Sequence, residues 1–259
     1  MPPSIDLHVA HLATFALVMV RVGVLMAVAP VFGAMAVPLR VRAAVALALA
    51  VMIVPLEISR AMAVPALPLE FLIAVCGEAL VGLVLGLGVR ILFVGMHLAG
   101  QIISQLSGMQ LSEVVSPGSG PAVPLVSHLF MIVTTAVFLV IGGHRRVIEA
   151  LLDTFAWLPA GQGALGQSAV EAVTALVAHS FVLGVRAAAP VMVALLLSTL
   201  IVGLVSRALP QLNVLSLGLG INALVAMVAI GAALGGACWV FQDQIEPVLE
   251  TALHALRQN

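Results

Sequence analysis

Charge is scarce in this chain. Asp, Glu, Lys and Arg together make up 8% of its 259 residues, and the formal net charge is −1. That balance argues against nucleic acid as a partner, because such binding needs a basic surface. Lysine is absent: all ten basic residues are arginine, which reads as a bias of composition. Only two cysteines occur, Cys76 and Cys238, both in apolar runs. They read as small buried hydrophobes, and no zinc-ligand spacing accompanies them. The N-terminal Met1-Pro-Pro-Ser-Ile-Asp-Leu-His8 lacks the basic stretch of a secretory signal, so the first apolar run is expected to stay in the mature protein. Enzyme chemistry is missing too. The seven histidines are scattered, and no Ser/His/Asp arrangement, phosphate loop or paired carboxylate set stands out. No cofactor is called for.

What is present is hydrophobic: 63% of the residues are apolar. Six apolar blocks follow one another, Leu12–Phe32, Ala43–Leu56, Leu67–Ala99, Ala122–Ile141, Val173–Val205 and Leu212–Phe241. Several reach the roughly 20 residues that cross a bilayer core as helix. This predicts an all-α, polytopic integral membrane protein forming one unit over residues 1–259. Ala43–Leu56 is too short to cross unaided. Leu67–Ala99 and Val173–Val205 would each extend about 50 Å as straight helix. They must tilt, kink or be covered by protein, and Pro190 offers a kink. Gly82-x-x-x-Gly86 and Gly231-x-x-x-Gly235 have the spacing of close helix contacts, a weak signal in a chain with 23 glycines. The arginines flanking the blocks give no clear bias of orientation.

Four charges lie inside the blocks: Arg21, Glu78, Arg90 and Arg186. A charge at the bilayer centre costs roughly 2.5–3.5 kcal/mol on insertion scales, so each should face protein or water. Glu78 and Arg90 are about 18 Å apart along one helix, too far to pair. Glu78 therefore meets Arg21, Arg186 or a group on another subunit. One acid among three bases is a poor proton wire, so assembly contacts are the favoured reading. The rival is a secondary transporter of a small solute with Glu78 in a midplane site.

Two amphipathic segments stand apart. Val147, Ile148, Leu151, Leu152 and Phe155 recur at helical spacing after Gly142-Gly143-His144, where His144 is placed to cap the preceding block. A loop follows. In the tail, about 243–257, Ile245, Val248, Leu249, Ala252, Leu253 and Leu256 form one stripe, open to a partner, a membrane surface or the chain itself. The most polar stretch lies between the third and fourth blocks. It runs from Gly100 through Ser107-Gly108-Met109-Gln110 and Ser112 to Ser116-Pro117-Gly118-Ser119-Gly120-Pro121. Such a run cannot continue a helix. In lipid it survives only where protein or a water-filled cavity satisfies it.

An ordered set of motifs resembles the FliR family, export-gate subunits of flagellar type III secretion, and its injectisome relatives. It runs from Arg21-Val-x-x-Leu-x-x-x-Ala29-Pro30 and Val37-Pro38-x-Arg40-Val-Arg42 through Ala99-Gly100-x-Ile-Ile103, Gly108, Pro117 and Pro124. It continues with Gly143-His144, Asp153-Thr-Phe155 and Leu158-Pro159, and ends at Arg207-x-x-Pro210-Gln211-Leu-x-Val and Gly218. The chain departs from the family at Leu106-Ser107-Gly108, Ser116-Pro117 and Leu217-Gly218-Leu219-Gly220. The resemblance implies long bent helical hairpins in the bacterial inner membrane, at the flagellar basal body. It implies assembly with FliP-, FliQ- and FlhB-type subunits into a conduit for unfolded export substrates, without catalysis. It makes Leu106–Pro124 a plug, with Ser107, Gly108, Met109, Gln110, Ser112 and Pro117 at the conduit. Beside the resemblance, Arg21, Glu78, Arg90 and Arg186, as charges in apolar blocks, and Arg207, Pro210 and Gln211, at a turn between two blocks, are read as assembly residues.

Overall fold

The computed structural model describes residues 3–32, 37–58, 67–109, 125–163, 167–208 and 214–257. Among them, all regular structure is helical: α1 Pro3–Val28, α2 Leu39–Ile58, α3 Pro68–Leu106, α4 Leu125–Val140, α5 Gly143–Trp157, α6 Gln167–Ala208, α7 Val214–Asp243 and α8 Ile245–Arg257. Five stretches are long and apolar enough to cross a membrane; a sixth arises only if α4 and α5 count as one broken span. With 39 and 42 residues, α3 and α6 run to about 60 Å, twice the thickness of a hydrocarbon core.

Local chemistry sets the ends. Pro38 precedes α2, and its carbonyl accepts the N–H groups of Val41 at 2.9 Å and Arg42 at 3.2 Å. This start extends the second helix to 20 residues, so it is longer than its apolar block and long enough to cross. Its Pro55 lies in the last turn, where it removes the bond an N–H at that position would make to the Val51 carbonyl. Gly108 (φ 73°) ends α3 and Gly142 (φ 74°) follows α4; both take the left-handed conformation that favours glycine after a helix. Gly142, not His144, therefore terminates α4. His144 falls in the first turn of α5, where the helix dipole opposes a cation instead of favouring it.

The chain divides into two compact units. Unit 1 comprises Met1–Ile91, Gly142–Val177 and Ile245–Asn259; unit 2 comprises Leu92–Ile141 and Ala178–Gln244. In unit 1, α1 packs on α2 and α5 packs on α8. Its core joins Val18, Val22 and Leu25 of α1 to Val81, Leu85 and Val89 of α3 and Leu151 and Phe155 of α5. The tail helix turns its stripe inward, burying Ile245, Val248, Leu249, Ala252, Ala255 and Leu256. Of the three covers open to it, the chain itself is the one used. In unit 2, α4 packs on α7. Phe93 meets Phe138 and Phe241 edge-on at ring separations of 5.4 and 5.7 Å. Ser198 Oγ donates to Asn222 Oδ1 at 2.7 Å, tying α6 to α7.

Coverage is uneven. The apolar window of α3 is 56% buried, against 22% for α2, α6 and the α7–α8 stretch. Phe181, Val193, Leu200 and Leu204 of α6 and Leu224 and Val228 of α7 are exposed. The cysteines follow the same pattern: Cys76 is exposed and Cys238 half-buried, both with free thiols. The expectation of buried cysteines fails because each occupies a helix face that the chain leaves uncovered.

Candidate functional site

The centre of unit 1 is polar. Arg21 and Glu78 are both fully buried. Arg21 Nε donates to Glu78 Oε2 at 2.5 Å and Nη2 to Oε1 at 3.0 Å. This fork matches the planar geometry of a guanidinium to a carboxylate. Nη1 donates to Thr154 Oγ1 at 3.2 Å and to the Leu158 carbonyl at 3.1 Å. Thr154 in turn donates to the Leu151 carbonyl at 2.6 Å. The Phe155 ring lies 4.1 Å from Arg21 Cζ, a cation–π distance.

These bonds hold a stretch of connector. After α5, the backbone N–H of Ala160 donates to Glu57 Oε2 at 3.1 Å. That of Gly161 donates to Glu78 Oε1 at 2.8 Å. Thus α1, α2 and α3 each supply one buried charged side chain to backbone groups between Leu158 and Gly161. Gly161 has φ +95°, which a side chain would strain, and a Cβ on Gly77 would collide with the Gly163 carbonyl. The connector, expected to be a loop, is locked into the unit by charge and by glycine contact.

Both oxygens of Glu78 are committed and no water path is needed to satisfy them. This arrangement fixes backbone; it does not relay protons. It also relocates two expected assembly residues. Glu78 pairs with Arg21, and both are fully buried within their own chain, where they hold the fold. The Gly82-x-x-x-Gly86 signal belongs here as well. A Cβ on Gly82 would collide with the Arg21 carbonyl, and one on Gly86 would stand 2.8 Å from Val28 Cβ. A Cβ on Gly231 or Gly235 would meet nothing within 4 Å among the described residues.

The remaining sequence-derived residues fall elsewhere. Arg90, in unit 1, and Arg186, in unit 2, are exposed on apolar helices and form no ion pair among the described residues. Arg207 is exposed in the last turn of α6; Pro210 and Gln211 lie outside the described residues. At the end of α3, Ser107 is buried and its Oγ donates to the Ser104 carbonyl at 3.1 Å. Gly108 and Met109 follow half-buried. Gln110, Ser112 and Pro117 lie outside the described residues. The arms on either side of this segment come close within unit 2, where a Cβ on Gly100 would be 2.5 Å from Ser127 Cα. Glu57 and Gly161 were not singled out in the sequence, and Thr154 stood there only within the motif Asp153-Thr-Phe155. A lone acid closing an apolar block was the signal for Glu57.

Apolar helices of spanning length, organised around a buried ion pair, define a polytopic helical membrane protein. The comparisons narrow the class. The profile of "Bacterial export proteins, family 1" matches residues 12–248. The flagellar biosynthetic protein FliR of Escherichia coli is 29% identical over 216 residues, covering 83% of this chain and 82% of that protein. The FliR of Caulobacter vibrioides is 28% identical, covering 91% and 94%, and that of Bacillus subtilis 26%, covering 93% and 94%. The chain belongs to the bacterial export proteins, family 1, the family of these FliR proteins. It is a membrane-associated component of flagellar protein export.

Proposed function

We propose that the chain is a core subunit of an export gate in the bacterial inner membrane, at the flagellar basal body. It forms with FliP- and FliQ-type subunits the conduit for unfolded export substrates, with an FlhB-type subunit at the cytoplasmic entrance. Its work is gating and conduction, without bond chemistry. The observation that carries this reading is the uncovered length of α6: about 60 Å of helix, 22% buried over its apolar window, with Arg186 exposed in its middle. Lipid covers half that length and disfavours the arginine. Neighbouring subunits satisfy both. A small-solute transporter would need an acid open to its cargo, and the Glu78 carboxylate is already filled by Arg21 and Gly161.

Leu106–Pro124 is the plug of this conduit. It contains Gly108, the glycine just past the end of α3, and joins arms that come close at Gly100 and Ser127. Deleting a few residues within Ser107–Ser112 should leave assembly intact and make membranes leak ions. An assembled deletion variant with unchanged permeability would remove the plug assignment.

A further inference from the structure

We infer that α4 and the part of α3 from Phe93 onward form a seam with two arrangements, one packed and one parted, and that water enters the parted one. Every residue concerned lies in unit 2. Three buried hydroxyls have no hydrogen-bond partner among the described residues: Ser104 of α3 and Ser127 and Thr134 of α4. Each is at most 2% exposed. They are not scattered. Ser127, Phe130, Thr134 and Phe138 recur at helical spacing on the buried side of α4. That side faces α3: Phe138 meets Phe93, and Ser127 abuts Gly100. Ser104 follows Gly100 by one turn on the same side of α3. His97, one turn before Gly100, adds a buried ring nitrogen, Nδ1, without a partner.

Other helical hydroxyls are satisfied within their own helix. Thr135, next to Thr134, donates to the Met131 carbonyl at 2.7 Å. Thr14, Thr199 and Thr251 likewise donate four residues back. A serine or threonine on a helix has this option by rotation about one bond. The seam hydroxyls do not take it, and a buried polar group without a partner weighs against the packed state. Water cannot relieve them while the seam stays packed. A Cβ on Gly100 would be 2.5 Å from Ser127 Cα and 2.8 Å from its nitrogen. Where a methyl has no room, neither has a water molecule. Parting the helices hydrates the hydroxyls and gives up apolar contact such as Phe93 on Phe138. Two opposed tendencies within one interface are what a two-state element requires. The consequence for export rests on the plug reading: Leu106–Pro124 joins these two helices, so parting them changes the distance between its ends.

The test uses the full chain in native membranes. Cys76→Ala and Cys238→Ala remove its two thiols, and Thr134→Cys sets one thiol in the seam. The rate of labelling by a charged, water-soluble methanethiosulfonate reads parting, because the reaction needs a wetted thiolate. Slow but complete labelling is expected. Ser104→Ala with Ser127→Ala should slow it at least about tenfold, since the packed state then holds two fewer orphaned groups. Gly100→Ala should speed it about tenfold by wedging the packed state apart. A separate thiol from Ala150→Cys, buried in unit 1, reports unfolding and should keep its rate in every variant. The inference is overturned if the serine pair leaves the rate unchanged or raises it, or if Thr134→Cys never labels. It is overturned too if Thr134→Cys labels as fast as the denatured chain, or if Ala150→Cys changes in step with it. Gly100→Ala labelling at the parent rate also overturns it; should that variant fail to accumulate, the serine pair decides alone. Labelling does not read permeability, so the plug can fail with the seam intact, and the seam with the plug intact.

Discussion

Replacing Glu78 by Gln changes one atom and should cost most of the stability of unit 1. Three donors converge on the Glu78 carboxylate: Arg21 Nε, Arg21 Nη2 and the Gly161 N–H. Glutamine offers one oxygen and one NH2 group in their place. With its oxygen toward Arg21 Nη2 and Gly161, its amide hydrogens point at Arg21 Nε. Turned round, they point at the other two donors. Either way a buried guanidinium is left without a counter-charge. Removing one partner of a buried pair costs about 3–5 kcal/mol, a large share of the roughly 5–15 kcal/mol that holds a domain folded. At about 1.4 kcal/mol per factor of ten, the folded fraction shifts by at least a hundredfold. The measurement is protease resistance and recovery of the variant in membranes, beside Arg21→Met combined with Glu78→Leu. The double variant removes both charges, so it should recover much of the loss, since apolar replacement of a whole pair is often close to neutral. The reasoning is refuted if Glu78→Gln is as stable as the parent, or if the double variant is no better than the single one.

Gly82→Ala should destabilise by about 1–3 kcal/mol, because the added methyl meets backbone that cannot swing aside; Gly231→Ala, with open space around it, should leave the chain unchanged or slightly more stable, and thermal denaturation compares the two. Arg207→Ala with Gln211→Ala should reduce recovery of the export complex while any complex formed still exports; normal assembly with no export would place the motif in the transport step. The chain purified alone should be unstable in detergent, because its long apolar faces are uncovered; a monodisperse monomer that melts cooperatively would defeat the obligate-assembly reading.

The helices were legible because uninterrupted apolar runs mark where each lies; their ends were less so, since the second helix begins just after Pro38, ahead of its apolar block, and the fourth ends at Gly142 and not at His144. The pairing of Arg21 with Glu78 was legible as one possibility of three, since charge counts constrain partners without choosing between them. The connector lock was not legible. It depends on backbone N–H groups at Ala160 and Gly161, and backbone donors are the same in every sequence. Only their convergence on Glu57 and Glu78 distinguishes them, and convergence is a property of the folded chain. The two Gly-x-x-x-Gly spacings show the same limit. They look alike as text, yet one abuts α1 and the other has nothing within 4 Å among the described residues.

The lock also sets an order in time. Arg21 is separated from Glu78 by 57 residues and from the Leu158 carbonyl by 137. At synthesis rates of about 5–20 residues per second, roughly 3–11 s pass before its counter-charge exists and longer before its last acceptor does. For that interval α1 carries an unpaired cation. It must wait near the membrane surface or against the insertion machinery, because the bilayer interior resists it. The first helix of this protein therefore completes its burial only once the third has been made, and a ribosome stalled between them would leave a nascent chain whose α1 has no partner for its charge.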